Sequence, residues 1–456
     1  MTGKIAGIDV HKRVLMVAVE AGNHEGEAAA MGLRRFGTMQ MELEHLTAWL
    51  QAQGVAEVVM ESTAQYWKPV WFALEPHFRL RLAQAWSNRA PRGKKTDFKD
   101  AERLVRRHRA GELTLSFVPE EAQRLMRTLA RRRFQLTRER VRIQNQVESL
   151  LEETRIKLSS VISDLFGGSG MRILEALSEG QCDAQQLAGL ADARIQCSVE
   201  ILREALAAGL GPVHRQLLRQ HLAMLHLVDA QIEQTAELMA DRTRPHLDAV
   251  RRLTAIPGIR ALAAQQLIAE IGPTAEAFGS APQFCSWGGL VHRFIDTVSY
   301  SAATAPSRSR LRSEPRASAS GFKIRHRTFE CVYLAPGRAE SAGHNYSSRC
   351  PKGNMYLRRV LCQVAQAAVR TNNSFFEQKF RRLLPRLGYA KAIWAIARSI
   401  AVVVWKILHD GVEYIERGAP STPGAIRRRL QRLCKELRAL GYSDHLTPLT
   451  PEAIAS

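Results

Sequence analysis

Through residues 1–115 apolar positions come in short runs of strand length, and beyond them they recur at helical spacing. The runs Lys4–His11, Val14–Glu20 and Leu33–Phe36 predict three early strands, because β-branched and apolar residues suit a pleated, half-buried surface. A helix over Glu42–Gln53, a strand over Glu57–Met60, a helix near Tyr66–Leu74, a strand over Phe78–Ala83 and a helix over Asp97–Arg109 follow. Gly111 is the stop of that last helix.

Pro119 to Leu158 has the spacing of one long exposed helix, in which Leu136, Ile143 and Leu150 repeat every seven residues with Val147 between them, a short heptad seam. The stretch Phe166–Gly180 is polar and Gly-containing and reads as a lead into further helix, and Met224–Met239 is amphipathic. Ile256-Pro257-Gly258-Ile259 before the apolar helix Ala261–Ile271 is like half of a helix-hairpin-helix, where the turn at Gly258 presents backbone N–H groups to a phosphate. An ordinary Pro-Gly turn between packed helices fits the same residues. Ser299–Ser320 lacks periodicity and reads as a loop or disordered insertion. Helices resume at Asn354–Arg370, Phe375–Leu384 and Lys391–Asp410, and a last basic helix aligns Ile426, Leu430, Leu433, Leu437 and Leu440 on one face. The expected fold class is therefore α/β plus all-α: an N-terminal mixed sheet of ribonuclease-H type, a long helical coiled-coil arm, and a mainly helical C-terminal domain with a helix-hairpin-helix-like turn. The expected divisions are 1–115, 116–245, 246–420 with an insertion at 291–334, and a basic tail at 421–456.

Charge changes the picture next. Against 44 Asp and Glu stand 65 Lys and Arg, a net charge of +21, so a polyanion is the expected partner. Between Asn88 and Arg142 alone there are 17 Lys/Arg against 7 Asp/Glu, more than a solvated helix face requires. Lys94, Lys95, Arg131, Arg132 and Arg133 are the candidate nucleic-acid contacts there, with Gly258 further on. No signal peptide follows Met1, and Ala390–Leu408, the longest apolar stretch, is interrupted by Lys391, Arg398 and Lys406, so no membrane partner is expected. An odd set of seven cysteines without ligand spacing fits reduced thiols in a cytoplasm.

Inside this basic chain four acids occupy telling places. Asp9 lies on an apolar strand and leaves the sheet on the face opposite Ile8 and Val10, where an unpaired carboxylate is costly to bury. Glu61 follows an apolar strand directly, where α/β sheets place ligands. Asp97 and Asp100 share a face in the first turn of a helix. Singly each has a structural explanation, such as Thr96 or Asp97 capping the helix. As a set they suggest Mg²⁺ held against phosphate, since the hard cation takes oxygen ligands.

Certain segments carry a specific resemblance. Gly7-Ile8-Asp9-Val10-His11-Lys12, Met60-Glu61-Ser62-Thr63 and Lys95-Thr96-Asp97-Phe98-Lys99-Asp100-Ala101 resemble the RuvC-like DEDD domain of the transposases of insertion sequence family 110. Glu340-Ser341-Ala342-Gly343, Lys352-Gly353-Asn354 and Tyr356-Leu357-Arg358-Arg359 resemble that family's second, serine-bearing domain. The resemblance implies a site-specific DNA recombinase that excises and inserts an insertion sequence, guided by a structured non-coding RNA that pairs with donor and target double-stranded DNA. It implies Mg²⁺ on Asp9, Glu61, Asp97 and Asp100, a nucleophile at Ser341, and nucleic-acid contacts at Lys352, Arg358 and Arg359. It also implies a composite site across protomers of a homo-oligomer, a dimer or a tetramer. Segment 291–334 stands between parts that adjoin in the family, and His344 replaces its usual Lys. Two other readings stay open: an inactive nucleic-acid-binding remnant, and a metal-dependent structure-specific nuclease of resolvase type.

Overall fold

A computed structural model describes residues 3–20, 32–61, 64–88, 97–181, 183–192, 195–290 and 353–416, together with 340, 341, 344, 345, 431, 434 and 438. The expected loop at Ser299–Ser320, the insertion 291–334 and nearly all of the basic tail lie outside the described residues. The chain divides into two units, residues 1–120 and 121–456.

In the first unit the apolar runs become strands β1 (Lys4–Val10), β2 (Val14–Val19), β3 (Gly32–Gly37), β4 (Val55–Glu61) and β5 (Arg79–Ala83), joined at the edge by β6 (Leu115–Ser116). The sheet order is β3-β2-β1-β4-β5-β6; β1 and β2 and then β2 and β3 are antiparallel, whereas β4 and β5 run parallel to β1. That is the mixed sheet of the ribonuclease-H type. Helices α1 (Gln40–Ala52) and α2 (Trp67–Leu74) cover one face, where Ile8, Val10 and Met60 pack with Leu46, Leu50 and Leu74. Helix α3 (Asp97–Arg109) covers the other, with Ala101, Leu104 and Val105 against Ile5, Ala18, Val59 and Ala83. Period-2 alternation thus sends Ile5, Gly7 and Asp9 of β1 and Glu57, Val59 and Glu61 of β4 toward α3, whereas Val55, before the register shift at Lys4/Ile5, packs on the other face.

The second unit is helical. Its long helix α4 (Glu121–Glu153) leads through α5 (Leu158–Val161), α6 (Gly168–Glu179), α7 (Ala184–Gly189) and α8 (Val199–Ala205) to α9 (Pro212–Thr243). The heptad seam is real: Leu136 and Ile143 pack on Leu225 and Val228 of α9. Pairs Arg132–Gln231, Arg140–Asp229 and Glu153–His214 show that the two helices run antiparallel. Most of Phe166–Gly180, expected as a polar lead-in, is instead helix α6. There Gly170 permits close packing on Leu165, since a Cβ would stand 2.0 Å from the Leu165 carbonyl oxygen, and Ile173, Leu174 and Leu177 are buried. Packing overrides low apolar content here.

At the other end of α4 lie α10 (Leu247–Thr254), α11 (Ala261–Ile271), α12 (Ala281–Trp287), α13 (Met355–Ala368), α14 (Phe375–Leu387) and α15 (Tyr389–His409). Helix α15 is long and apolar enough to cross a membrane, but Ala392, Ile396, Ile400 and Val404 lie buried in the core shared with α11, α13 and α14. In chain order between α12 and α13, β7 (Glu340–Ser341) pairs antiparallel with β8 (His344–Asn345), Ser341 opposite His344.

Candidate active site and nucleic-acid interface

The ends of the two central strands gather the acids of the first unit. Ile8 pairs with Met60 in the parallel register of β1 and β4, so Asp9 and Glu61 stand one residue beyond the last pair on neighbouring strands. Both are on the face that α3 covers. Gly7 makes this approach possible: a Cβ there would meet the Ala101 carbonyl oxygen at 2.3 Å. The helix thereby rests directly on β1 and brings Asp100 beside Asp9.

Asp9 and Asp100 are 7% and 6% exposed. Burial raises the Asp9 carboxyl above its ordinary value; His11 opposes the shift, and Asp100 and Glu61 add to it. Hydrogen-bonding groups hold the three acids in place. His11 Nε2 lies 3.1 Å from Asp9 Oδ2, Asn88 Nδ2 donates to Glu61 Oε2 at 3.0 Å, and Arg103 pairs with Asp100. Arg103 also donates to the Asn88 carbonyl at 3.2 Å. Asp97 opens α3, but its side chain lies outside the described residues.

The donors suit a hard divalent cation in kind: three carboxylates, of which Glu61 and Asp100 add to the raised proton affinity of Asp9, and a buried amide oxygen, Asn88 Oδ1, with no hydrogen-bond partner among the described residues. Among the described residues no three His, Cys, Asp or Glu side chains are assembled as a coordination group. Asn88, Arg103 and His11 were not among the expected site residues. Only His11, two positions from Asp9 on the same side, and Arg103, one turn beyond Asp100, carried a local signal.

In the second unit the expected basic contacts separate into two kinds. Arg131 forms a two-pronged pair with Glu270, 2.9 Å at each nitrogen, and its guanidinium lies 4.6 Å from the Tyr356 ring centre. That fork is committed inside the protein. Arg132 is exposed and donates to Gln231. Arg133, Arg138 and Arg359 crowd near Phe134, with Arg359 4.4 Å and Arg138 5.8 Å from its ring centre. None of the three has a carboxylate partner among the described residues. Burial and then the charges of Arg133 and Arg138 lower the pKa of Arg359, the mark of cations without an anion. Arg358 lies over Trp394.

Gly258, at φ +86°, has a packing reason to be glycine: a Cβ would come within 2.6 Å of the Ala368 nitrogen and 2.7 Å of the Val364 oxygen on α13. Asn354 caps α13 through its Oδ1 and donates to Glu270 at 2.8 Å. Lys94, Lys95 and Lys352 lie outside the described residues, and Ser341 is described only in its backbone.

A ribonuclease-H-like sheet with acids at the ends of its central strands, joined to a basic helical unit, defines a DNA-acting enzyme. A DEDD transposase profile of the IS110 type matches residues 6–156, and the profile described as Transposase IS116/IS110/IS902 family matches residues 250–313 and 318–380. The chain belongs to the IS110 family of transposases. No curated protein matches it.

Proposed function

We propose that this transposase is an RNA-guided recombinase that cuts and rejoins DNA with Mg²⁺ on Asp9, Glu61, Asp97 and Asp100 and with Ser341 as nucleophile. One observation carries the reading: Asp9 is buried beside two further acids at the end of the central strand, an arrangement that costs stability unless a cation is its purpose. Bound there, Mg²⁺ would neutralise charge developing on the phosphate. The carboxylates would hold it, with Asp9 kept in place by His11, Glu61 by Asn88 and Asp100 by Arg103.

Ser341 Oγ would form a bond to phosphorus while the bond to the leaving deoxyribose oxygen breaks, and that oxygen takes up a proton. Reverse attack by a deoxyribose hydroxyl on the phosphoserine then releases the serine and joins the new strand. In the sequence Ser341 precedes Ala342-Gly343, small residues that would leave a hydroxyl room to approach a phosphate. The Arg133, Arg138 and Arg359 cluster supports binding of the RNA or DNA backbone, since each has charge to give and none is matched by an acid among the described residues. A homo-oligomer completes the reading.

The test is an SDS-resistant protein–DNA adduct formed with element-end DNA, Mg²⁺ and RNA transcribed from the element's non-coding end. The adduct should form with the wild type, require the RNA, and vanish in Ser341→Ala. An adduct that persists in Ser341→Ala removes Ser341 from the mechanism. Cleavage without any adduct would point to the resolvase-type nuclease, and binding without either to a remnant.

A further inference from the structure

Asn88 ends the 3-10 turn Ala85–Asn88 that follows β5, and it is 3% exposed. Its side chain donates from Nδ2 to Glu61, and its backbone carbonyl accepts from Arg103, the residue that pairs with Asp100. Asn88 thus sits in a continuous chain of contacts, Glu61 to Asn88 to Arg103 to Asp100, which links an acid at the end of β4 to one on α3. The amide orientation follows from chemistry: facing a carboxylate, the NH₂ end attracts and the oxygen end repels. Oδ1 is therefore the remaining atom, and it is buried without a partner among the described residues. A buried amide oxygen left unpaired carries its full desolvation penalty, so a solely structural residue has little reason to keep one.

We propose that Asn88 belongs to the cation site, its N–H orienting Glu61 and its Oδ1 serving as the neutral oxygen of the donor set. The inference rests on the reading of the acids as a metal site. A neutral donor has an advantage here. Asp9 already carries the charges of Glu61 and Asp100 as unfavourable neighbours, so a further carboxylate would add repulsion where an amide adds only an oxygen. The position next to Glu61 also explains why the 3-10 turn is fastened to α3 by Arg103: a ligand's partner must itself be held.

The experiment uses the full chain and Mg²⁺ or Mn²⁺ alone, with cation affinity from calorimetry and the melting temperature measured in chelator and in excess Mg²⁺. Asn88→Ala should weaken cation affinity about ten- to a hundredfold, the range seen when the partner of a metal ligand is removed. An unchanged affinity overturns the proposal. Asn88→Asp keeps an oxygen but replaces the N–H that faces Glu61 with a charge. Its melting temperature in chelator should fall, and its rise on adding Mg²⁺ should exceed that of the wild type. A rise equal to or smaller than the wild-type one also overturns the proposal. Asp9→Asn is the control that separates the two readings. If it loses the cation while Asn88→Ala keeps it, the metal site stands and Asn88 is not part of it. If the wild type binds neither cation, the metal reading itself fails and this proposal with it.

Discussion

Glu270 and Asp9 are both carboxylates buried to within a few per cent of full enclosure, at 2% and 7% exposure, yet their surroundings are opposite. Glu270 stands on an apolar helix and is matched: Arg131 grips both oxygens, Arg127 lies 4.0 Å away, and Asn354 donates a further hydrogen bond. Those partners come from α4 and the start of α13, so the pair fastens three helices at one point. Asp9 has His11, but it also has Glu61 and Asp100, which push its proton affinity up. Burial by itself therefore distinguishes nothing. A buried acid among cations is a fastening, whereas a buried acid among acids is a place prepared for a cation.

The sharpest way to break this contrast is to neutralise the acid cluster. Asp9→Asn or Asp97→Asn should abolish Mg²⁺-dependent DNA cleavage while circular dichroism and RNA binding stay as in the wild type. Full cleavage by either variant would place the metal elsewhere. Next in size is the fastening: Glu270→Ala leaves Arg131 and Arg127 partly buried without their anion and should cost about 3–5 kcal/mol in urea unfolding. A loss within experimental error would mean that the pair is solvated and the contrast overstated.

The arginines sharpen the same point. Replacing Arg133, Arg138 and Arg359 with Gln should weaken binding to unrelated nucleic-acid sequences and flatten the slope of log affinity against log salt by about 0.9 for each phosphate no longer neutralised. Arg131→Gln should chiefly lower stability, because its charge is spent on Glu270. The reverse pattern would show that Arg131 is the residue that meets nucleic acid.

The smallest expected effect concerns pH. A folded-state carboxyl raised above its ordinary 3.8 favours the protonated native state, so ionising Asp9 costs no stability below that pH and progressively more as pH rises through the raised value. Metal-free Asp9→Asn should then melt slightly above the wild type at pH 7, and the difference should close toward pH 3.8. A variant less stable than the wild type at pH 7 in chelator would show that the bond to His11 outweighs the repulsion.

The expected strands and helices of the first unit agree with the structure to within a few residues, because their signals are local: alternation along β1 and β4, helical spacing along α1 and α3, and stop residues such as Gly111. The two-residue strand β6 and the turn at Ala85–Asn88 were not expected, since neither is long enough to show a period. Asn88 was missed for that reason, and so was Glu270, although a lone acid in the apolar run Ala261–Ile271 was a visible oddity. The acids were legible because Asp9 interrupts a buried strand and Glu61 ends one.

By itself the sequence determined the order of the main strands and helices of the first unit, the face on which Asp9 emerges, the place of Glu61 at a strand end, the seam of α4 and the positive charge, all properties of spacing or of sums over residues. Only the tertiary structure decided which charges are free. Arg131 and Arg133 are two residues apart on one helix and indistinguishable as letters, but one meets Glu270, 139 residues away in sequence, and the other has no acid within reach among the described residues. Gly258 likewise could have served a phosphate or a neighbour, and it is the approach of α13 that gives the glycine its packing role. The physical reason is the same in each case: periodicity is a local property of the chain, whereas the fate of a charge or a missing Cβ depends on which distant element folding brings against it.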